Sequence, residues 1–391
     1  MIGLILFLIC MPLIVIDCVF LAEVTLGLAK EKGARPAPID ASRIALIIPA
    51  HNEESGVRAA VAAILAVIPP AVRVLLVAHN CSDRTAEEAR AAGAEVTVLD
   101  RPDQRGKGYA LAHGRAVLTA DPPAVAILID ADCVPEPGTI EQIAATAHAT
   151  GRAVQAAYLF GSRPVDAPMV QISNFALLVK NLVRQRGGRR LGAPALMTGS
   201  GMAFPWATFS TLDLATGNIV EDLAIGIELV RAGQPPLFDE GGLVWSTPSS
   251  EKGTQTQRSR WEGGFLATAR TMALPLVGEG LRRGSWSLFW MGLHLLTPPL
   301  TLLLMANVAL VAVLGVIAAL GGPSTAFAVL AGLMALIVLA VLAAWAVAGR
   351  RVLSGRVLAR LPLYMLWKIA LYRKIIRKDE KPAWVRTERI D

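Results

Sequence analysis

Three groups of residues in this chain have the types and spacing to do chemistry. Asp130-Ala131-Asp132 directly follows the apolar run Val125-Ala-Ile-Leu-Ile129. Residues two apart on an extended chain point to the same side, so both carboxylates are expected to face one crevice. Two hard oxygen donors suit Mg2+ or Mn2+ held between protein and a diphosphate, where the ion neutralises charge on a departing phosphate. A solvated acidic turn after a strand has the same composition, and the triplet alone leaves both readings open. Glu221-Asp222 opens a helical pattern with Leu223, Ile227 and Val230 on its apolar face and Gly233 beyond its end. With Asn218 as N-cap, Glu221 falls at the third helical position, where it completes a capping box and complements the helix dipole. Asp222 is not needed for capping, and a carboxylate there is placed to take the proton of an attacking hydroxyl. The third group is Gln257-Arg-Ser-Arg-Trp261. On a helix, Gln257, Arg260 and Trp261 share one face. Arg260 then offers a phosphate contact and Trp261 a stacking surface, although a basic aromatic helix at a membrane surface reads alike.

The elements that must position these residues alternate in type. Residues 44–48 read as a buried strand closed by Pro49, 55–67 as a helix and 72–78 as a strand. A helix over 84–92 ends at Gly93, followed by a strand over 95–99, a helix over 106–118 and a strand over 124–129. Strands with continuous apolar runs, alternating with helices, predict an α/β fold with a mostly parallel sheet covered on both faces. Ligands of such sheets bind beyond the carboxyl ends of the strands, which is where the acidic triplet falls.

The rest of the chain points to a membrane. Hydrophobic residues make up 54% of its 391 residues, concentrated at the two ends, and the mean hydropathy is +0.50. Residues 2–29 exceed the roughly 20 needed to cross a bilayer. Positive charges (Lys30, Lys32, Arg35) follow that segment instead of preceding it, which predicts an uncleaved anchor with its N-terminus outside. Residues 288–320, interrupted by Pro298-Pro299, and 325–348 predict two more crossings joined by Gly321-Gly322-Pro323. Arg282 and Arg283 before that pair, and Arg350, Arg351, Arg356 and Arg360 after it, place both flanks on the cytoplasmic side. Residues 361–376, with Tyr364, Trp367, Lys368, Tyr372 and Arg373, read as interfacial. The expected organisation is an anchor at 1–29, a cytoplasmic domain at 40–284, two crossings within 286–349 and a basic tail at 350–391, in a multi-pass protein of the inner (plasma) membrane. Asp17 and Glu23, inside the first segment, receive no role. The net charge of +7 sits beside apolar segments, aromatics are 6% and no nucleic-acid motif is present. Membrane lipids, not nucleic acid, are the partner this predicts. Cys10, Cys18, Cys81 and Cys133 show no metal spacing, and no disulfide framework is expected.

Taken together, these motifs resemble the GT-A-fold glycosyltransferases of family 2, the group that includes cellulose, chitin and hyaluronan synthases and many exopolysaccharide transferases. The resemblance spans about residues 45–265. Ile47-Ile-Pro-Ala-His-Asn-Glu-Glu54 is similar to a uridine-contacting segment, and Arg105-Gly-Lys-Gly-Tyr-Ala-Leu111 to a donor-binding loop. Asp130-Ala-Asp132, Thr198-Gly-Ser-Gly-Met202, Glu221-Asp222 and Gln-x-x-Arg-Trp at 257–261 follow in the family's order. The resemblance implies a GT-A, Rossmann-like catalytic domain and an inverting, metal-dependent transfer from a nucleotide-sugar, a UDP-sugar first of all. It implies Asp132 as ligand of Mg2+ or Mn2+, Asp130 on metal, ribose or donor sugar, and Asp222, beside Glu221, as base. Pro49, His51, Glu53, His79, Asp83 and Lys107 would hold the nucleotide. Gln257, Arg260 and Trp261 would bind diphosphate and acceptor, with Gly199, Ser200 and Gly201 near the acceptor. His79 stands where relatives carry a uracil-contacting aspartate, His51 where tyrosine is usual and Val220 where threonine is frequent. Three crossings make a thin wall for a polymer channel, which favours adding one sugar to a lipid-linked acceptor, as in exopolysaccharide assembly. A processive polysaccharide synthase, alone or with other polysaccharide-assembly subunits, and a non-catalytic nucleotide-binding scaffold are the alternatives.

Overall fold

The computed structural model describes residues 2–30, 36–163, 165–216, 220–246, 250–361, 364 and 368. The chain divides into two compact units. Among the described residues, one comprises 36–161 and 194–264, the other 2–30, 162–193 and those from 265 onward. The expected domain at 40–284 is thus not continuous, because residues 162–193 and those from 265 onward group with the apolar helices.

The first unit is built on an eight-stranded sheet: β1 (Ile44–Ala50), β2 (Arg73–His79), β3 (Glu95–Leu99), β4 (Val125–Leu128), β5 (Cys133–Pro135), β6 (Val154–Phe160), β7 (Met202–Pro205) and β8 (Leu237–Ser246). Their spatial order is β3-β2-β1-β4-β7-β6-β8-β5. The first four pair in parallel, as do β6 and β8, while β7 runs antiparallel to β4 and β6, and β5 antiparallel to β8. The strands come from β-branched apolar runs that are buried on both faces, as parallel strands covered by helices must be. Pro49 lies inside β1 rather than closing it, opposite Val77 of β2. Its missing N–H is tolerated because the ladder to β4 has already ended at the Ile47–Leu128 pair. The core joins Ile47, Val77, Leu111, Leu128, Phe204 and Ile225, so the helices Lys107–Leu118 and Glu221–Arg231 share one apolar face of the sheet. Gly114 permits that packing, since a Cβ there would press on Ile47 and Val77 at 2.9 and 3.1 Å.

In the second unit, three helices are long and apolar enough to cross a membrane: Ile2–Gly27, Leu300–Ala319 and Thr325–Gly349. The run expected over 288–320 divides into Trp286–Leu296 and Leu300–Ala319. Two consecutive prolines cannot supply helical N–H donors, and Thr297 is forced extended ahead of the first of them. Glu23 is completely buried and bonded within the protein. Its carboxylate accepts from Arg184 Nε at 2.6 Å, Trp290 Nε1 at 3.1 Å and His294 Nδ1 at 2.8 Å. Asp17 accepts from Asn307 Nδ2 at 2.9 Å. Each carboxylate therefore meets donors from other helices, the arrangement that makes an ionisable group bearable among apolar helices. Gly27 and Gly187 let backbones touch here: a Cβ at Gly187 would overlap the Glu23 carbonyl, and one at Gly27 the Val183 carbonyl. This close packing is why residues 162–193, expected within the α/β domain, belong to the apolar unit. Most of the interfacial segment expected at 361–376 lies outside the described residues.

Candidate active site

At the end of β4 the chain turns sharply. Cys133 N–H donates to the Asp130 carbonyl at 2.9 Å, so the triplet forms a turn and not the extended stretch expected from its spacing. The two carboxylates still converge. Among the described residues, Asp130, Asp132 and Cys133 form a group whose ligand atoms all lie within 4.8 Å of one another. The Cys133 thiol donates to Asp132 Oδ1 at 3.2 Å, and the Tyr158 hydroxyl lies 3.6 Å from the same sulfur. Burial, with Asp132 and Asp130 beside it, pushes this thiol well above its ordinary range and keeps it protonated. The donors left for a cation are carboxylate oxygens, a set that fits a hard divalent ion.

Lys107 is the hub of the site. It opens the helix Lys107–Leu118, a position where the helix dipole disfavours positive charge. Carboxylates offset this: Nζ is 2.5 Å from Asp130 Oδ1 and 3.7 Å from Glu221 Oε1. Nζ also donates to the Gly199 carbonyl at 2.7 Å. Although burial disfavours the ammonium, Asp130 and Glu221 outweigh it and hold the Lys107 pKa above the usual lysine value. Asp130 is raised by burial against the pull of Lys107, yet keeps about a quarter of its side-chain surface open (26%).

Glu221 is the first residue of its helix, with Val220 at the N-cap and no side-chain capping bond. The capping box expected from Asn218 is not formed by Glu221, which stands two positions earlier than that motif requires; Asn218 itself lies outside the described residues. Freed from capping, the Glu221 carboxylate reaches Lys107. Burial, and Asp222 beside it, raise its pKa to about 7 against the attraction of Lys107. A carboxyl raised in this way stabilises the fold below the unfolded value and loses that contribution as pH climbs through its folded value. In metal-free protein, the melting temperature is therefore expected to fall between about pH 4.5 and 7 from this group. Glu221→Gln should flatten that slope in a pH series of thermal melts.

Asp222 and the triplet meet at Gly199. A Cβ there would lie 3.3 Å from Asp222 Oδ2, 3.5 Å from Lys107 Nζ and 3.8 Å from Asp130 Oδ2. Gly199 also has φ +90°, so glycine is required twice over. Its neighbour Ser200 is fully buried and accepts from Asp130 N–H through Oγ at 3.1 Å. Gly201 donates to the Leu128 carbonyl at 2.9 Å. The expected helix at the third motif is present, within Glu251–Arg283. Gln257 is buried, Trp261 packs on Phe160 at 5.6 Å between ring centroids, and half-buried Arg260 is within electrostatic reach of Glu221, Asp130 and Asp132. Arg258, which the sequence did not single out, stacks on Phe160 and Trp261 at 4.4 and 4.9 Å.

Apart from Lys107 and Asp130, the residues expected to hold the nucleotide lie at or just beyond the ends of β1 and β2, bonded to one another and to neighbouring backbone. His51 Nδ1–H donates to the His79 carbonyl at 2.7 Å, and His79 Nε2–H to the Gln104 carbonyl at 2.8 Å. Burial lowers the His79 pKa and keeps the ring neutral. Asp83 accepts from Glu54 N–H at 3.1 Å and from Thr85 N–H at 3.0 Å, so it caps two helices. Glu53 N–H donates to Thr85 Oγ1 at 2.7 Å.

Known proteins resemble this chain in sequence or in fold. Glycosyltransferases of Mycobacterium bovis (strain ATCC BAA-935 / AF2122/97) and Mycobacterium tuberculosis (strain ATCC 25618 / H37Rv), both named as uncharacterized, are 37% identical to the chain over 102 residues. The match covers 26% of this chain and 42% of each relative, so the chain spans less than half the length of these curated relatives. A mannosyltransferase of Pyrobaculum calidifontis, solved with GDP-Man and Mn2+, has the same fold at 16% identity and a TM-score of 0.59, over 97% of this chain and 100% of that one. Residues 41–264, more than half of the chain, match the family described as Glycosyltransferase like family 2. The chain belongs to that family and has its GT-A fold.

Proposed function

We propose that this enzyme transfers one sugar, with inversion, from a nucleotide-sugar to a lipid-linked acceptor at the inner face of a membrane. The observation that carries the reading is the convergence of Asp130, Asp222 and Lys107 on Gly199. Asp132, with Asp130, would hold Mg2+ or Mn2+, which when bound supplies positive charge to the leaving diphosphate. Lys107 and Arg260 add fixed cations on the same side. Asp222 takes the proton of the acceptor hydroxyl as its oxygen bonds to the anomeric carbon. The bond to the nucleoside diphosphate breaks on the opposite face, which inverts the configuration. Glu221, tied to Lys107, tunes that cluster and leaves the proton to Asp222. The three apolar helices support an acceptor that lives in lipid. UDP-sugars are the first donors to test, and GDP-sugars the second because the structural relative holds GDP-Man.

The test is the full chain in detergent with MnCl2, a panel of UDP- and GDP-sugars and a total lipid extract. Asp222→Asn should bind donor as the parent does and lose at least about 10²-fold in transfer, the loss of a general base. Undiminished transfer by that variant removes Asp222 from the role. Product length decides between single addition and processive synthesis, the second reading, which Gln257, Arg260 and Trp261 favour through their likeness to polymer synthases.

A further inference from the structure

Gln155 lies in β6, in a strand otherwise made of Val154, Ala156, Ala157, Tyr158, Leu159 and Phe160. It is fully buried. A buried amide is costly unless its donors and acceptor are all used. Here they are: Nε2 donates to the Ser200 carbonyl at 2.8 Å and the Ala156 carbonyl at 2.9 Å. Oε1 accepts from Thr198 N–H at 2.9 Å. The orientation of the amide is settled by these partners, since Thr198 N–H can only donate and the two carbonyls can only accept.

The segment so gripped contains Gly199 and Gly201, at φ +90° and +70°. A turn with two such glycines has no stiffness of its own and needs an external clamp to keep one shape. Gln155 bonds on both sides of Gly199, and Gly199 is where the chemistry converges. The Gly199 carbonyl receives Lys107 Nζ, and the Lys107 ammonium is shared with Asp130 and Glu221. Ser200, whose carbonyl Gln155 holds, accepts the Asp130 amide through its hydroxyl.

The geometry points to Gln155 as the positioning residue of the active site: it holds the Thr198–Ser200 turn so that the Gly199 carbonyl fixes Lys107 between Asp130 and Glu221. Gln155 touches none of the reacting groups; it acts through the turn. Its effect on turnover rests on the donor-site reading above, whereas its effect on the turn does not.

Two variants of the full chain in detergent, metal-free, separate these points. Gln155→Leu keeps the volume and removes every bond. Gln155→Glu keeps the shape; when protonated it both donates and accepts, and when ionised it only accepts. Hydrogen exchange over residues 196–203 in Gln155→Leu is expected to rise about fivefold or more, the loss of one or two buried bonds, with β1 and β2 peptides unchanged. Exchange in Gln155→Glu should lie nearer the parent at pH 6, where one O–H still donates, and move toward the leucine variant at pH 9, where both donations are lost, each compared with the parent at the same pH, because burial raises the new carboxyl's pKa. In the MnCl2 transfer assay, Gln155→Leu should raise KM for the donor roughly tenfold, as displaced cations predict, with a smaller change in kcat. Unchanged exchange over 196–203 in a variant whose melting temperature has dropped overturns the proposal and leaves Gln155 a packing residue. Should Gln155→Leu not fold, equal exchange by Gln155→Glu at both pH values overturns it as well. If the parent turns over no nucleotide-sugar, the functional reading fails while the exchange data still decide the role of Gln155.

Discussion

Asp132→Asn is expected to yield a folded chain that binds membrane detergent normally and turns over nucleotide-sugar more than about 10³-fold more slowly at any MnCl2 concentration, the loss of about 4 kcal/mol of charge stabilisation. Asp132 is the carboxylate in the triplet that is not committed to Lys107. It accepts the Cys133 thiol at 3.2 Å and Ser246 Oγ at a long 3.5 Å. Asp130, Asp132, Glu221 and Asp222 share this site with Lys107 and Arg260, so carboxylates outnumber the fixed cations and removing one negative charge relieves repulsion. Folding stability should therefore be kept or slightly raised while cation affinity collapses. Calorimetric titration with MnCl2, beside donor hydrolysis, reads both. Parent-like Mn2+ affinity in the variant would remove Asp132 from the ligand set.

Lys107→Met should fail differently, losing stability and activity together. Removing a partner from a buried ion pair strands the other charge, at roughly 3–5 kcal/mol where burial is complete. Asp130 keeps part of its surface in water, so about 2 kcal/mol is the better expectation here. The sign of the pH dependence follows from which groups are stranded. Asp130 and Glu221 are already raised by burial, and without the ammonium their charged forms cost still more. Protonation relieves that cost, so the deficit in melting temperature should be larger at pH 8 than at pH 6. Transfer should fall about 10³-fold in kcat/KM, close to 4 kcal/mol, because a fixed cation beside the diphosphate is gone. A variant as stable at pH 8 as the parent would show that Lys107 does not compensate these carboxylates.

The contrast between the two aspartates of the triplet shows where reading a sequence stops. Both stand after the same strand at the same spacing, and nothing local separates them. The structure does, by bringing Lys107 onto Asp130, while Asp132 accepts from a thiol and a hydroxyl within electrostatic reach of Arg260. Glu221 was legible as a helix-opening residue, but its assignment to capping failed because the helix begins at Glu221 itself and the carboxylate is drawn to Lys107. His79 was read as a departure from the family pattern; what the sequence did not show is that its Nε2–H donates to the Gln104 carbonyl, 25 positions along the chain. Gln155 drew no notice, although a lone amide in an apolar strand was a signal that a buried partner must exist.

Read alone, the sequence yields β1 to β4 and the helices between them to within a few residues, the order of the acidic pairs along the chain and the three segments able to span a membrane, but neither β5 to β8 nor the helix Thr139–Thr150. What it yields rests on short-range physics: side-chain periodicity, proline and glycine punctuation, and the length of an apolar run. Tertiary structure alone decided that Lys107 becomes the hub, that the Gly199 turn meets both acidic pairs, and that residues 162–193 leave the α/β unit for the apolar helices. Lys107 and Gly199 are 92 positions apart. No local pattern encodes which distant charge a buried charge will meet; that is settled only when packing excludes water and every buried polar group must find a partner.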